Sequence, residues 1–348
     1  MSTAEILLAL ILPCAPQPQT AGEPRATPRP PEAPRYLSPD AIRGLPAETE
    51  VIRVDGLSDL QVSSLERLDG LLSLTILGSR EPGLSDEGVA RLAKLPRLKE
   101  LRLIWCPGVT DRAMEHLSGL SHLEVLEVSY FVGGTARPAG ESAKPPPEPK
   151  ISDAGLRAIT RLANLRSLTL VGARITDEGL AAFASPSPKG LNSLDLSVTP
   201  MVGSGLRHLT GLTGLRHLGL DGTRISPEGW EMLGSFPRLT SLDVREYKIP
   251  EMESNNIPER DLSPLGRLER LETLLLDGRR IRSGSLASLR GLGHLRRLGL
   301  ASTPVTDRDL QHLADLKTLE ELDLKGTRTT PEGRRKLRGE LPNCRITE

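Results

Sequence analysis

Two adjacent carboxylates are the first candidates for chemistry in this sequence. In RITDEGLAAF, residues 174–183, Asp177 and Glu178 lie beside a glycine at a turn. Neighbouring acidic side chains in a loop can serve as metal ligands or as acid and base groups. The stretch recurs along the chain, however, and Pro227 and Pro331 replace Asp177 in two of the copies. Because proline can neither bind a metal nor carry a proton, this recurrence favours a structural role.

The same comparison predicts how the helices of the repeat begin. A Ser or Thr precedes the Asp or Pro position, as in Thr176, Ser226 and Thr330. Its hydroxyl can accept a hydrogen bond from a free N–H of the first helical turn. The next residue is then the first helical one, where Asp faces the positive end of the helix dipole and Pro has no N–H to satisfy. We therefore expect Thr176 to be a helix cap and Asp177 to be interchangeable with proline.

Other catalytic or metal-binding patterns are missing from the sequence. Cys14, Cys106 and Cys344 are far apart and odd in number, which predicts neither a disulfide framework nor a cysteine metal site. The chain contains no closely spaced histidine pair, no phosphate-binding glycine loop, and no nucleophile beside a base. We therefore expect a protein that is not an enzyme and that binds no metal and no cofactor.

Composition restricts the partners. The chain of 348 residues has 45 basic and 45 acidic side chains, and aromatic residues make up 2% of it. A balanced charge argues against nucleic acid or an anionic membrane as the main partner, and aromatic platforms for stacking bases are scarce. No apolar stretch is long enough for a membrane span. The core must be built from leucine and other aliphatic residues.

The first residues leave two interpretations open. Residues 1–14 contain the apolar run ILLALIL followed by Cys14, which suggests a signal peptide, although no Lys or Arg precedes the run. The alternative is an apolar tail. Residues 15–37 are rich in proline and predict a disordered linker. Export or a place in the cell envelope is favoured over the cytoplasm on this basis.

An internal repeat dominates the rest of the chain. The consensus is L-x-x-L-x-L-x-x-T-x-I-[TS]-[DP]-x-G-L-x-x-L, with a basic period of 24 residues. Clear copies begin at Leu165, Leu191, Leu215, Leu295 and Leu319. Weaker or interrupted copies begin at Leu71, Leu98, Leu123, Leu239 and Leu271.

The ten copies resemble leucine-rich repeat proteins, and in particular a short bacterial variant related to the cysteine-containing class found with F-box proteins. Thr199, Thr223, Thr303 and Thr327 stand at the Asn/Cys position of that class, and Cys106 is the one cysteine there. The resemblance implies an α/β solenoid, or horseshoe, with a parallel β-sheet on the concave face and helices on the convex face.

The residues support this fold independently of the family. In LTL or LDL, leucines alternate with polar residues as in a strand with one buried face, and in GLAAF the apolar spacing becomes helical. Each unit has one apolar face and can bury it only against its neighbours. We therefore predict a solenoid over residues 38–348 with terminal caps. Loop insertions at 132–150 and 250–261 interrupt the period.

The strand alternation also predicts which residues line the concave face. One row is expected to include Asp195 and Asp243, and the next row Asp221, Arg245 and Asp277. Since neighbouring strands are about 4.8 Å apart, these side chains fall in one patch. The hypothesis is an acidic site for a basic segment of a partner protein, and the alternative is a solvated polar face with no partner.

Trp105 and Tyr130, at the ends of successive strands, form a second candidate interface, with burial at the turn as the alternative.

We predict a monomeric, non-catalytic module that binds a partner protein through the concave face or the rim loops. A substrate-recognition subunit of a ubiquitin-ligase-like complex and an envelope or surface structural protein remain alternatives. The region before the repeats is too short and too rich in proline for an F-box bundle, which weighs against the first of these.

Overall fold

A computed structural model describes residues 36–78, 83–130, 148–184, 187–246 and 259–348. The predicted signal peptide or tail at 1–14 lies outside the described residues, as does the predicted linker at 15–37 except for its last two residues. Most of each predicted insertion, at 132–150 and at 250–261, also lies outside them.

Twelve parallel strands form one sheet in which the spatial order is the order along the chain. A stack of similar strand-and-helix units, each in contact with its neighbours along the chain, produces this sequential strand order. The strands are β1 Val51–Asp55, β2 Ser73–Leu77, β3 Glu100–Ile104, β4 Val125–Ser129, β5 Ser167–Val171, β6 Ser193–Asp195, β7 His217–Gly219, β8 Ser241–Asp243, β9 Thr273–Leu275, β10 Arg297–Gly299, β11 Glu321–Asp323 and β12 Arg345–Thr347.

Short helices follow the strands and differ in type along the chain. The α-helices are α1 Asp59–Val62, α2 Asp86–Leu92, α3 Asp111–Leu117, α4 Asp153–Ile159, α5 Pro227–Leu233, α6 Asp307–Leu310 and α7 Pro331–Glu340. The 3-10 helices are Pro39–Gly44, Gly179–Phe183, Ser204–Leu209, Leu265–Arg267 and Ser285–Gly291. The predicted strand-to-helix alternation is therefore confirmed, although several of the predicted α-helices are 3-10 helices.

A ladder of leucines holds the strands in register. The strand pairing sets Leu168 opposite Leu194, Leu194 opposite Leu218, and Leu218 opposite Leu242, which in turn faces Leu274. All five are buried and belong to one continuous hydrophobic core with the helix leucines. The predicted ladder and the α/β leucine-rich repeat solenoid are thus confirmed.

Threonines close the turn after the strand from inside the core. The hydroxyls of Thr199, Thr223 and Thr303 each donate to the carbonyl three residues earlier, at 2.7, 2.5 and 2.6 Å. This bond satisfies a backbone oxygen that the turn removes from water. Cys106 occupies the same position, and burial raises the pKa of its thiol to about 12, so the thiol is a packing group.

The residue that follows the strand turn adopts a left-handed conformation in several repeats. Gly172, Gly222 and Gly278 have φ of 75°, 68° and 77° there, but Val198 stands at the equivalent position with φ of 59°. A β-branched side chain in this region is sterically strained. The Val198 N–H nevertheless donates to the Asp221 carbonyl at 2.7 Å, so the stacking of neighbouring repeats imposes the conformation.

Truncation of one ladder leucine tests the register. Leu218→Ala removes a side chain that is 2% exposed, and we expect unfolding in urea to show a loss of about 2–5 kcal/mol. Leu60 is a matched control because it is 84% exposed on helix α1, and Leu60→Ala should change stability by less than about 0.5 kcal/mol. Equal effects of the two substitutions would contradict the register.

Candidate functional site

The acidic residues at the strand-to-helix turns connect successive repeats. The Asp153 carboxylate accepts the backbone N–H of Thr176 at 2.9 Å and the Thr176 hydroxyl at 2.7 Å. Asp177 accepts the backbone N–H groups of Val202 and Gly205 at 2.7 and 2.6 Å. We call this set the ridge aspartates, and with their partners they are Asp59 with Ser85, Asp86 with Thr110, Asp111 with Ser152, Asp153 with Thr176, Asp177 with Val202 and Gly205, and Asp307 with Thr330.

This geometry corrects part of the sequence prediction. Ser226 and Thr330 do accept helix N–H groups as predicted. Thr176 does not, because its helix begins later as the 3-10 turn Gly179–Phe183, and its single hydroxyl hydrogen points to the carboxylates of Asp153 and Glu178, whose oxygens each lie 2.7 Å away. Asp177 also does more than face a helix dipole, since it binds the next repeat. Proline at this position has no carboxylate and cannot form that bond to the next repeat.

Removal of one ridge carboxylate measures this link. Asp153→Ala leaves the Thr176 backbone N–H without its acceptor, and we expect a loss of about 1–3 kcal/mol in denaturant unfolding. Glu178→Gln is the control, because Glu178 is exposed and its amide can still accept the Thr176 hydroxyl. A loss below the experimental error for Asp153→Ala would show that these carboxylates are surface charges only.

The sheet face that points away from the helices, here called the concave face, contains the predicted rows. Strand pairing places Asp195 opposite Gly219, and Gly219 opposite Asp243. Beyond the strand ends, backbone bonds align Ser197, Asp221 and Arg245 in the next row. The row assignment is therefore confirmed. We call Asp195, Asp221, Asp243 and Asp277 the concave aspartates.

Arg245 neutralises two of the concave aspartates. Its Nε and Nη2 bind the Asp243 carboxylate at 2.9 and 2.7 Å, and Nη2 lies 3.3 Å from an oxygen of Asp221. The side chains of Asp221, Asp243 and Arg245 are 10%, 22% and 34% exposed. The guanidinium is thus the most accessible member of this cluster.

Asp195 and Asp277 are held differently, by neutral donors. Asp195 accepts the Ser197 N–H at 2.9 Å and its hydroxyl at 2.5 Å, and Asp277 accepts the Ala301 N–H at 2.6 Å. Within the described residues, no cationic side chain forms an ion pair with either carboxylate. Burial raises the pKa of both groups above the ordinary value for Asp.

Glycines on the neighbouring strands make room for these two carboxylates. A Cβ at Gly219 would lie 2.5 Å from an oxygen of Asp195, and a Cβ at Gly299 would lie 2.6 Å from an oxygen of Asp277. Each carboxylate therefore leans across the sheet over a position without a side chain. The sequence shows these glycines in the predicted row, but the alternation of strand residues alone does not show which way an aspartate leans.

Trp105 and Tyr130 do not form the predicted interface. Their side chains are 2% and 5% exposed, because both turn inwards at the ends of their strands. The Tyr130 hydroxyl accepts the N–H groups of Lys150 and Ile151 at 3.1 and 3.2 Å, which fixes the point where the chain returns from the first insertion. Burial raises the pKa of Tyr130 to about 12. We remove both aromatic residues from the candidate site.

Arg279 is a structurally important residue that the sequence prediction missed. It stands at the repeat position of Thr223 but is only 1% exposed. Its Nε donates to the carbonyl of Val244 and its Nη2 to the carbonyl of Thr223 at 3.1 Å. In regular repeats a threonine hydroxyl satisfies the carbonyl that corresponds to Val244. Arg279 thus replaces that bond in the repeat broken by the second insertion, and an Arg at a Thr position just after an insertion was the available signal.

Neither a cluster of metal ligands nor a membrane-spanning helix occurs in the described part of the chain. No group of three or more His, Cys, Asp or Glu side chains there is arranged to hold a metal ion. None of the helices described is long and apolar enough to cross a bilayer.

Comparison with known proteins supports the fold. No protein-family profile and no curated protein sequence matches the chain. The crystal structure of an internalin (inlF) from Listeria monocytogenes matches with a TM-score of 0.53 and 19% identity, over 89% of this chain and 82% of that chain. An internalin C2 (inlC2) from the same organism matches with a TM-score of 0.46 and 20% identity, over 74% of this chain and 91% of that chain. At 19% identity the likeness to inlF concerns the fold alone.

Proposed function

We propose that the protein is a non-catalytic binding module whose concave face takes an extended, basic segment of a partner protein. The observation that supports this most is the state of Asp195 and Asp277. Both are partly buried carboxylates on the accessible face of the sheet, and within the described residues neither forms an ion pair. The positive charge of Arg245 acts on both, but its guanidinium is bound to Asp243. A buried charge that no ion pair compensates is costly for the fold, and a cation from a partner would compensate it.

The concave aspartates differ in kind from the ridge aspartates. Each ridge aspartate satisfies donors at the start of the next helix, whereas Asp195 accepts from Ser197 of its own repeat and Asp277 accepts one N–H of the next repeat, from Ala301. The fold does not require an acid in the row of Asp195, where other repeats have Thr75, Thr169 or Leu275. Residues that destabilise a fold and that the repeat does not require are candidates for binding.

Two alternative functions extend or replace this proposal. A substrate-recognition subunit of a ubiquitin-ligase-like complex would use the same concave face, so it is a more specific form of the proposal. An envelope or surface structural protein would need export through residues 1–14 and would not need the concave aspartates. Selective binding of basic segments therefore favours the first of these two.

A peptide array tests the preference for basic segments. We expect the protein to bind soluble extended peptides rich in Arg and Lys more tightly than neutral or acidic peptides of the same length, and more weakly at higher salt. The double variant Asp195→Asn/Asp277→Asn should lose about tenfold in affinity for the basic peptides. Fluorescence anisotropy measures both effects.

Glu178→Gln is the matched control for the array, because it removes one carboxylate from the turn side and leaves the concave face unchanged. It should bind the basic peptides as the wild type does. Equal binding of basic and acidic peptides, or an equal loss in the control and in the double variant, would show that binding depends on net charge and that the concave aspartates form no site.

Stability provides a second, independent test of Asp195. The raised pKa means that the folded state disfavours the ionised carboxylate, so Asp195 contributes most to stability at low pH, and that contribution is lost as pH rises through its folded pKa. Asp195→Asn keeps an oxygen that can accept from Ser197 and removes the charge. We expect its stability at pH 7 to equal or exceed that of the wild type.

The advantage of Asp195→Asn should disappear when pH falls below the pKa of this carboxyl in the unfolded chain, because the wild-type carboxyl is then neutral in both the folded and the unfolded state. Denaturant melts of the two proteins at several pH values measure this. A clear loss of stability in Asp195→Asn at pH 7 would assign Asp195 a structural role instead.

A further inference from the structure

Arg245 occupies the concave face in the way that an arginine of a partner would. Its guanidinium makes a two-pronged contact with Asp243 and reaches Asp221 on the neighbouring strand turn. This is the geometry in which a carboxylate recognises a guanidinium specifically. The cluster therefore already contains a ligand of defined chemistry, supplied by the chain itself.

We propose that Arg245 is a built-in competitor that restrains binding, and that an arginine of the partner displaces it from Asp243 and Asp221. This inference rests on the proposed function, since it names the partner group and adds a restraint at the same surface. The partner group is a guanidinium, because the position that it takes over is one already shaped for a guanidinium.

The space above Gly219 is the place where the partner's guanidinium would bind. Asp195 and Asp243 flank Gly219 in one row, on strands two steps apart, so their backbones are about 10 Å from each other. The Asp195 carboxylate leans over Gly219, towards Asp243. A planar guanidinium with donors on several edges can contact carboxylates on both sides of it.

The charges decide how Arg245 affects binding. With Arg245 in place, an incoming arginine exchanges one bidentate pair on Asp243 for another, and the net gain is small. Without Arg245, Asp221 and Asp243 are two carboxylates with 10% and 22% exposure and no guanidinium between them. Such poorly solvated charges are strongly unfavourable until a cation binds. Removal of Arg245 should therefore strengthen the binding of an arginine ligand.

Arg245→Gln tests the restraint by calorimetric titration with an arginine-bearing Gly/Ser peptide. We expect its dissociation constant for this peptide to fall by about tenfold relative to the wild type. The same peptide with citrulline in place of arginine has the shape without the charge and should bind neither protein. The peptide should also raise the melting temperature of Arg245→Gln more than that of the wild type.

Arg297→Gln is the matched control, because it removes an arginine from the concave face two strands of the sheet away, where Arg297 pairs with Glu321. It should change the dissociation constant by no more than roughly twofold. Arg245→Lys retains the positive charge that the fold needs and loses the two-pronged contact, so its affinity should lie between those of the wild type and Arg245→Gln. This variant decides the question if Arg245→Gln does not fold.

The possible results distinguish failure of the competitor role of Arg245 from failure of the proposed binding function. If the wild type binds the arginine peptide, and Arg245→Gln or Arg245→Lys binds it no more tightly, then Arg245 is a counter-ion or a contact residue and the competitor is wrong. If the wild type and every variant fail to distinguish the arginine peptide from the citrulline peptide, the proposed function is wrong. The competitor role of Arg245 is then wrong as well, since it depends on that function.

Discussion

The structure depends on the apolar face that each repeat has and cannot bury alone. Leu218 reaches 2% exposure only because Leu194 and Leu242 lie on either side of it in the sheet. This requirement fixes the parallel register, because a shift of one residue along a strand would turn its leucines out of the core. The same register determines which side chains reach the concave face, so the position of the candidate site follows from the packing of the core.

Aspartate has two separate uses in this solenoid. On the turn side it is part of the stacking, since the carboxylate of one repeat satisfies the N–H and hydroxyl groups that begin the next helix. On the concave face Asp195 accepts from Ser197 of its own repeat and Asp277 accepts from Ala301 of the next one, but burial outweighs these bonds and disfavours the ionised form. One residue type thus supports the start of the next helix at one place and is destabilised by burial at another.

Much of this could be predicted from the sequence, because the repeat period and the strand alternation are strong signals. They identified the leucine ladder, the concave rows and the place of Asp195 beside Gly219. The link from Asp153 to Thr176 was not visible, because the partner of each ridge aspartate lies in the following repeat and the helix dipole offered a sufficient local explanation. Tyr130 was misjudged for a similar reason, since its hydroxyl binds backbone groups beyond an insertion.

The two uses of aspartate can be separated by one residue-resolved measurement. A pH titration of carboxyl carbon signals by nuclear magnetic resonance reports the pKa values of Asp195, Asp277 and Asp307 in the folded protein. We expect Asp195 and Asp277 to titrate above the ordinary range for Asp because they are buried, and the ridge aspartate Asp307 to titrate below it because Thr330 donates to its carboxylate. Titration of Asp195 and Asp277 below the ordinary range would contradict the distinction, since the fold itself would then stabilise their charge and leave no reason to expect a partner's cation there.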